Sequence, residues 1–151
     1  MTPALEEKTV LHLFTEIAIV EHLLRNRYDR ATPAGMSTAQ FGVLTHFIRN
    51  GRHEERLSFL AWAFQDSEQY MAEKVASLVQ RGMLSTRPVD GAVGDMLVAI
   101  TDAGRAAHEA ALEEMAPEII QLLEGIDMDD LKTSLSVIQE IRRTLDNLPD
   151  R

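Results

Sequence analysis

The chain has 151 residues, 45% of them apolar and 26% charged, and its 24 acidic residues against 15 basic ones give a formal net charge of −9. That is enough apolar mass for one globular domain, but the wrong sign of charge for a protein held to nucleic acid mainly by phosphate neutralisation. The absence of cysteine excludes disulfides, thiolate nucleophiles and cysteine-based zinc sites. Neither a secretory leader nor an apolar run of membrane-spanning length is visible, so the cytoplasm is the expected compartment.

In chain order, Leu13, Ile17, Val20 and Leu24 recur at three- and four-residue spacing and predict a helix over residues 5–28. Phe14, Ala18, Ile19 and Leu23 add a second apolar stripe, so this helix is expected to be covered on two sides. Pro33 and Gly35 break the pattern. Ser37 or Thr38 caps a second helix, with Gln40 placed to reach back as in a capping box. Its expected core face is Phe41, Leu44, Thr45 and Ile48, and Asn50-Gly51 closes it. The charged stretch 52–56 reads as a link to a helix over Leu57–Phe64. Asp66 or Ser67 caps the next helix, whose inner face is Met71, Val75, Leu78 and Val79 and which Gly82 ends. Residues 83–87 and Met96–Ile100 are strand candidates around a glycine-containing loop. Thr101 caps a long alanine-rich helix that Pro117 should kink or divide. A last helix starts at Asp127, and its Met128, Leu131, Leu135, Ile138, Ile141 and Leu145 form a heptad-like seam.

The order helix, turn, helix, two-stranded ribbon, helix is that of a winged helix-turn-helix. With M-S-T-A-Q-F-G-V-L at 36–44, L-S-F-L-A at 57–61, V-A-S-L-V-Q-R-G-M-L at 75–84 and I-T-D-A-G-R at 100–105, the chain resembles the MarR family of bacterial transcription regulators. The resemblance implies a mainly α fold with a small β-ribbon wing. It implies one domain over 1–151, in which 37–100 form a DNA-binding lobe and 5–30 and 101–148 are dimerisation helices. The partners it implies are a second copy of the chain, duplex DNA and a small-molecule effector, with no cofactor and no membrane.

On the exposed side of the recognition helix the resemblance places Ser67, Gln69, Tyr70 and Lys74 at the DNA, with Gln69 suited to adenine. Arg52 and Arg56, with Arg49 beside them, and Arg87 at the wing base are expected to grip phosphates. The alternative is that these arginines pair with Glu54, Glu55 and solvent. Two departures weaken the DNA expectation. The recognition helix carries Glu68 and Glu73, and the wing has Ala92, Val93 and Gly94 where the family has an Asp-x-Arg motif. Between Leu57 and Gly104, six acids against three bases leave −3. A second function class therefore stays open: a winged-helix dimer without DNA recognition, acting as a protein-interaction or small-molecule-sensing module.

The family's ligand cleft lies between the DNA lobe and the dimer helices, and His12, Glu16, His46 and Trp62, with Phe47 and Phe64, are the residues expected to line it. The bland reading of Trp62 is a half-buried packing residue. The five histidines show no metal-ligand pairing on one helical face, and no metal is expected. With no nucleophile elbow, phosphate loop or HExxH, no enzyme activity is expected.

Overall fold

A computed structural model of the protein describes residues 3–150. Its elements run α1 (Pro3–Ala31), a 3-10 turn at Pro33–Gly35, α2 (Thr38–Asn50), β1 (Glu54–Arg56), α3 (Leu57–Phe64), α4 (Glu68–Gln80), β2 (Leu84–Pro88), β3 (Met96–Ile100), α5 (Asp102–Leu122) and α6 (Met128–Asp146). This is the mainly α fold with a small β wing that the residue pattern predicts. The chain divides into two compact units, one up to Glu114 and one from Met115, and α5 runs through the division.

The core of the first unit is the helix-turn-helix lobe. Val43, Leu44 and Phe47 of α2, Leu57, Leu60 and Ala61 of α3, and Met71, Val75 and Leu78 of α4 are buried together with Leu84, Val98 and Ile100 of the sheet. Local chemistry sets the boundaries. The capping box of α2 is complete, with Gln40 N donating to Ser37 Oγ at 3.2 Å and Ser37 N to Gln40 Oε1 at 3.1 Å. Gly51 closes α2 at φ 63°. At the end of α4, Met83 N donates to Leu78 O and Gly82 N to Val79 O, the paired bonds of a Schellman motif around Gly82.

Four expectations change. The charged stretch after α2 is not a simple link, because residues 54–56 form β1 and add a third strand in the order β1-β3-β2. Three residues are too few to show an alternation, and pairing with β3 supplies what propensity does not. Ile48 is exposed, whereas Val43 and Phe47 take the core positions, because α2 turns a neighbouring face to α3 and α4. Phe47, expected at a ligand cleft, is therefore a core residue. Pro117 does not divide α5, which continues to Leu122.

Thr101 joins three elements. Its Oγ1 donates to Gly82 O at 2.6 Å and accepts from Gly104 N at 3.0 Å, capping α5, while its own N donates to Met83 O at 3.2 Å. Gly104 lies so close that a Cβ there would collide with the Met83 carbonyl oxygen. Nearby, the buried His108 ring stacks on Phe41 at 4.7 Å and 1°. Thr45 Oγ1 donates to Phe41 O at 2.9 Å, so its 3.1 Å contact with His108 is a bond donated by Nε2–H.

In the second unit, Asp127 caps α6 by accepting from Asp129 N and Asp130 N, and no residue of α6 is buried. Of its apolar seam, Met128, Leu135, Ile138 and Leu145 are exposed. In the first unit α1 shows the same property, with Leu11 64% and Leu23 61% exposed and Val10, Phe14, Ile19 and Val20 also bare.

Gly104→Ala is expected to lower stability by about 1–3 kcal/mol, because the new methyl must push the Met83 backbone away; urea unfolding with an unchanged slope measures it. Burial holds the His108 pKa below its ordinary 6.5, so the unfolded chain binds the proton first. Stability is therefore expected to fall as pH drops below about 6.5. His108→Phe should flatten that decline in denaturation midpoints measured across pH, with His46, shifted the same way by burial, supplying the remainder.

Candidate nucleic-acid interface

The turn between α3 and α4 is short because Gln65 takes a left-handed conformation at φ 54°. Ser67 then starts α4, its Oγ accepting from Tyr70 N at 3.1 Å. With Met71, Val75 and Leu78 turned inward, the opposite face of α4 is exposed and carries Gln69, Glu73, Ala76 and Gln80 at helical spacing, beside Glu68 and Tyr70. Polar ties hold the helix at both ends. Lys74 Nζ contacts Asp66 Oδ2 at 2.6 Å and lies over the rings of Phe64, at 5.0 Å, and Tyr70, at 4.8 Å. At the other end Arg81 donates to Gly35 O at 2.9 Å and Ala34 O at 3.2 Å. Glu114 accepts from Ala34 N at 2.9 Å on the other side of that turn.

The wing is the hairpin of β2 and β3, registered from Leu84 opposite Ile100 to Pro88 opposite Met96. Gly91 and Gly94 supply the positive φ its tip requires, and Val93 stands fully exposed at that tip. Asp95 ties the wing base to the N-terminus of α3. Its Oδ2 accepts from Ser58 Oγ at 2.7 Å, and its Oδ1 accepts from Ser58 N at 3.2 Å and Met96 N at 2.9 Å. The Ser58 hydroxyl, helped by the two backbone donors and the charge of Arg56, holds the Asp95 carboxyl below its usual range.

The basic residues expected at DNA are mostly engaged within the chain. Arg87 forms a fork with Glu54, Nε to Oε2 at 3.1 Å and Nη2 to Oε1 at 2.9 Å, across the central strand β3. That bond and Glu54's charge raise the Arg87 pKa further. Arg52 Nε lies 3.4 Å from Oε1 of the buried Glu55. Arg49 and Arg56 are exposed, with no hydrogen bond or ion pair among the described residues. Lys74, expected at the backbone of DNA, is only 11% exposed and braces the helix instead. Gln69 and Tyr70 are exposed on α4; Ser67 is exposed too, with its hydroxyl capping the helix.

The residues expected at a ligand cleft separate. His12 and Glu16 lie exposed on α1, without a hydrogen bond or ion pair among the described residues. His46 and Trp62 join one aromatic cluster on the lobe through Phe59. The His46 ring is 6.3 Å from Phe59 and 5.7 Å from Phe64, and Phe59 is 5.6 Å from Trp62. Residue reading missed Asp66, Asp95 and Phe59. Asp66 showed only as a possible cap, and Asp95 sits 37 positions from Ser58, a separation that no local pattern reveals.

No protein-family model matches the chain, and no curated protein does. Solved structures do. Sco5413, a MarR family transcriptional regulator from Streptomyces coelicolor, is 20% identical, with 93% of this chain and 97% of that one covered and a TM-score of 0.70. The MarR crystal structure is 15% identical at a TM-score of 0.77, covering 88% of this chain and 90% of that one. An organohalide-sensing transcriptional regulator in its 2,4-dichlorophenol-bound form is 15% identical, with a TM-score of 0.69, 93% of this chain and 83% of that one covered.

Removing one partner of the Lys74–Asp66 pair strands the other. Lys74→Met is expected to lose about 1–3 kcal/mol by urea unfolding, and Lys74→Met with Asp66→Asn clearly less. Equal losses would mean the two groups act independently. The architecture and these likenesses lead to one conclusion: the chain has the winged helix-turn-helix fold of the MarR-family transcriptional regulators.

Proposed function

We propose that the chain is a dimeric, cytoplasmic transcription regulator that binds duplex DNA through α4 and the wing and answers to a small-molecule effector. The observation that carries this reading is α4 itself: its apolar face is packed into the lobe, its ends are tied by Lys74 and Arg81, and its other face is left to solvent. Such a helix is rigid and presented, as entry into a major groove requires. The wing beside it is held by Asp95. In the reading, Gln69 and Tyr70 meet base edges or phosphates, with Ser67 at the helix start, and Arg49, Arg52, Arg56 and Arg87 lie against the backbone. Lys74 supports α4 from behind.

Dimerisation follows from the bare apolar faces of α1 and α6. Each fully buried Leu or Val side chain is worth about 1.5–3 kcal/mol, and a monomer rarely keeps so much apolar surface in water. A second copy of the chain is the partner that satisfies both helices by symmetry. No described helix is long and apolar enough to cross a membrane. The effector part of the reading is supported by the similar regulator whose structure holds 2,4-dichlorophenol.

With Lys74, Arg52 and Arg87 already engaged and Val93 at the wing tip, binding should be weak and only moderately salt-dependent. In a mobility-shift assay on the protein's own promoter region at low salt, a shift is expected at micromolar dimer, and its absence there sinks DNA binding. Val93→Arg is expected to tighten binding and to steepen the log–log salt slope by about 0.9 for each phosphate gained. Sedimentation of the free protein should give twice the chain mass, and Leu11→Asp with Leu23→Asp should shift it toward monomer.

A further inference from the structure

The acidic residues from Glu54 to Asp102 can be assigned one by one, and all but one have a role inside the lobe. Glu54 holds Arg87, and Glu55 meets Arg52. Asp66 meets Lys74, and Asp95 accepts from Ser58 and Met96. Asp90 stands close enough to Arg87 for the two charges to attract. Glu68 and Asp102 lie in the first turns of α4 and α5, where the helix dipole favours an acid. Glu73 is left. It is exposed in the middle of α4, without a hydrogen bond or ion pair among the described residues. Its neighbours at helical spacing are Gln69, Tyr70, Ala76 and Ser77, and none is basic.

Its place makes that isolation costly. Met71, Val75 and Leu78 face the core, so Glu73 stands near the centre of the opposite face, between Gln69 and Gln80. That is the face which meets DNA in the function proposed above. A carboxylate there is repelled by every phosphate, and it has only acceptors to offer. Guanine's major-groove edge is made of acceptors too, and the donors in that groove are cytosine N4 and adenine N6. Adenine sets its N7 acceptor beside N6, a pair that an amide matches and a carboxylate does not. Cytosine sets no acceptor of its own beside N4, so it is the base that fits a carboxylate.

We propose that Glu73 reads cytosine, its carboxylate accepting the N4–H hydrogen of one cytosine in each half-site. The proposal rests on the DNA-binding function given above and names the base chemistry of that contact. Gln69, one turn earlier on the same face, suits adenine. Four residues of helix rise about 6 Å, and successive bases of one strand are about 3.4 Å apart, so the two bases lie about two steps apart. A carboxylate on this face lowers affinity for DNA in general and recovers it only at a matching site. Glu73 therefore sharpens discrimination by rejecting wrong sequences.

Selection from a pool of duplexes with a randomised centre, at low salt and with the full-length protein, tests the contact. Retained duplexes are expected to hold cytosine at one fixed position in each half-site, about two steps from an adenine. Exchanging that cytosine–guanine pair for thymine–adenine should weaken wild-type binding about five- to tenfold in a mobility-shift assay. Glu73→Gln keeps a helix-forming side chain at an exposed position, so the fold should be unaffected. The variant is expected to bind unselected duplex more tightly and to lose the cytosine preference, a combination that loss of stability does not produce. Tightening on every duplex with the cytosine preference intact makes Glu73 an ordinary surface charge and overturns the contact. Retained duplexes without a fixed cytosine overturn it as well and leave DNA binding standing. No retained duplex at micromolar dimer overturns both. The pair exchange uses the wild type alone, so the contact is decided even if the variant does not fold.

Discussion

The joint formed by Gly82, Met83, Thr101 and Gly104 is the constraint on which the lobe depends. Four elements change direction there: α4 ends, β2 begins, β3 ends and α5 begins. The Thr101 hydroxyl serves two of them at once, donating to the Gly82 carbonyl and accepting from the first turn of α5. The Met83 carbonyl takes the Thr101 amide and leaves no room for a side chain at position 104. The end of α4 and the start of α5 are therefore fixed to the same backbone, and the base of the wing with them. Arg81 and Glu114 extend this tie to the turn before α2, where Ala34 holds a left-handed conformation that costs about 1 kcal/mol or more.

Charge in the lobe is spent internally before it reaches solvent. Lys74 neutralises Asp66 while covering two aromatic rings, Arg87 is held by both oxygens of Glu54, and Arg52 answers the buried Glu55. Asp95, an acid in the wing itself, satisfies the opening amide of α3 rather than repelling a phosphate from the tip. The wing base and the ends of α4 are thus well built, but the exposed face of α4 keeps Glu68 and Glu73, which have no ion pair among the described residues and add to the net charge of −9. In the DNA-binding role proposed above, long-range attraction would be small, and shape and hydrogen bonding at α4 would carry a larger share of recognition.

Two histidines on α2 and α5 meet burial in opposite ways. His108 stacks on Phe41 and gives its proton to Thr45, so every part of the ring is accounted for. His46 gives its acceptor to Asn50 and leaves its donor among phenylalanines. The first is packing; the second is an unmet hydrogen bond beside exposed aromatic rings.

The sequence by itself located the long helices, the two wing strands and, to within a residue, the caps. Ser37 with Gln40, Ser67, Thr101 and Asp127 all act at helix starts, and the apolar spacing of α3 and α4 locates the lobe core, because caps and helical periodicity are interactions over a few residues. It also marked α1 as apolar on two sides and α6 as carrying a heptad-like seam. Only the tertiary structure decided what lies far apart along the chain. β1 exists because β3 pairs with it, and Ile48 yields its core place to Val43 and Phe47 through the direction α2 faces. Lys74 turns from an expected phosphate contact into a brace because Asp66 and two rings surround it. His46 and Trp62 meet through Phe59 while His12 and Glu16 stay on α1. Such partners are chosen by the packing of whole helices and by which charges that packing brings within reach, and no short stretch of sequence contains that information.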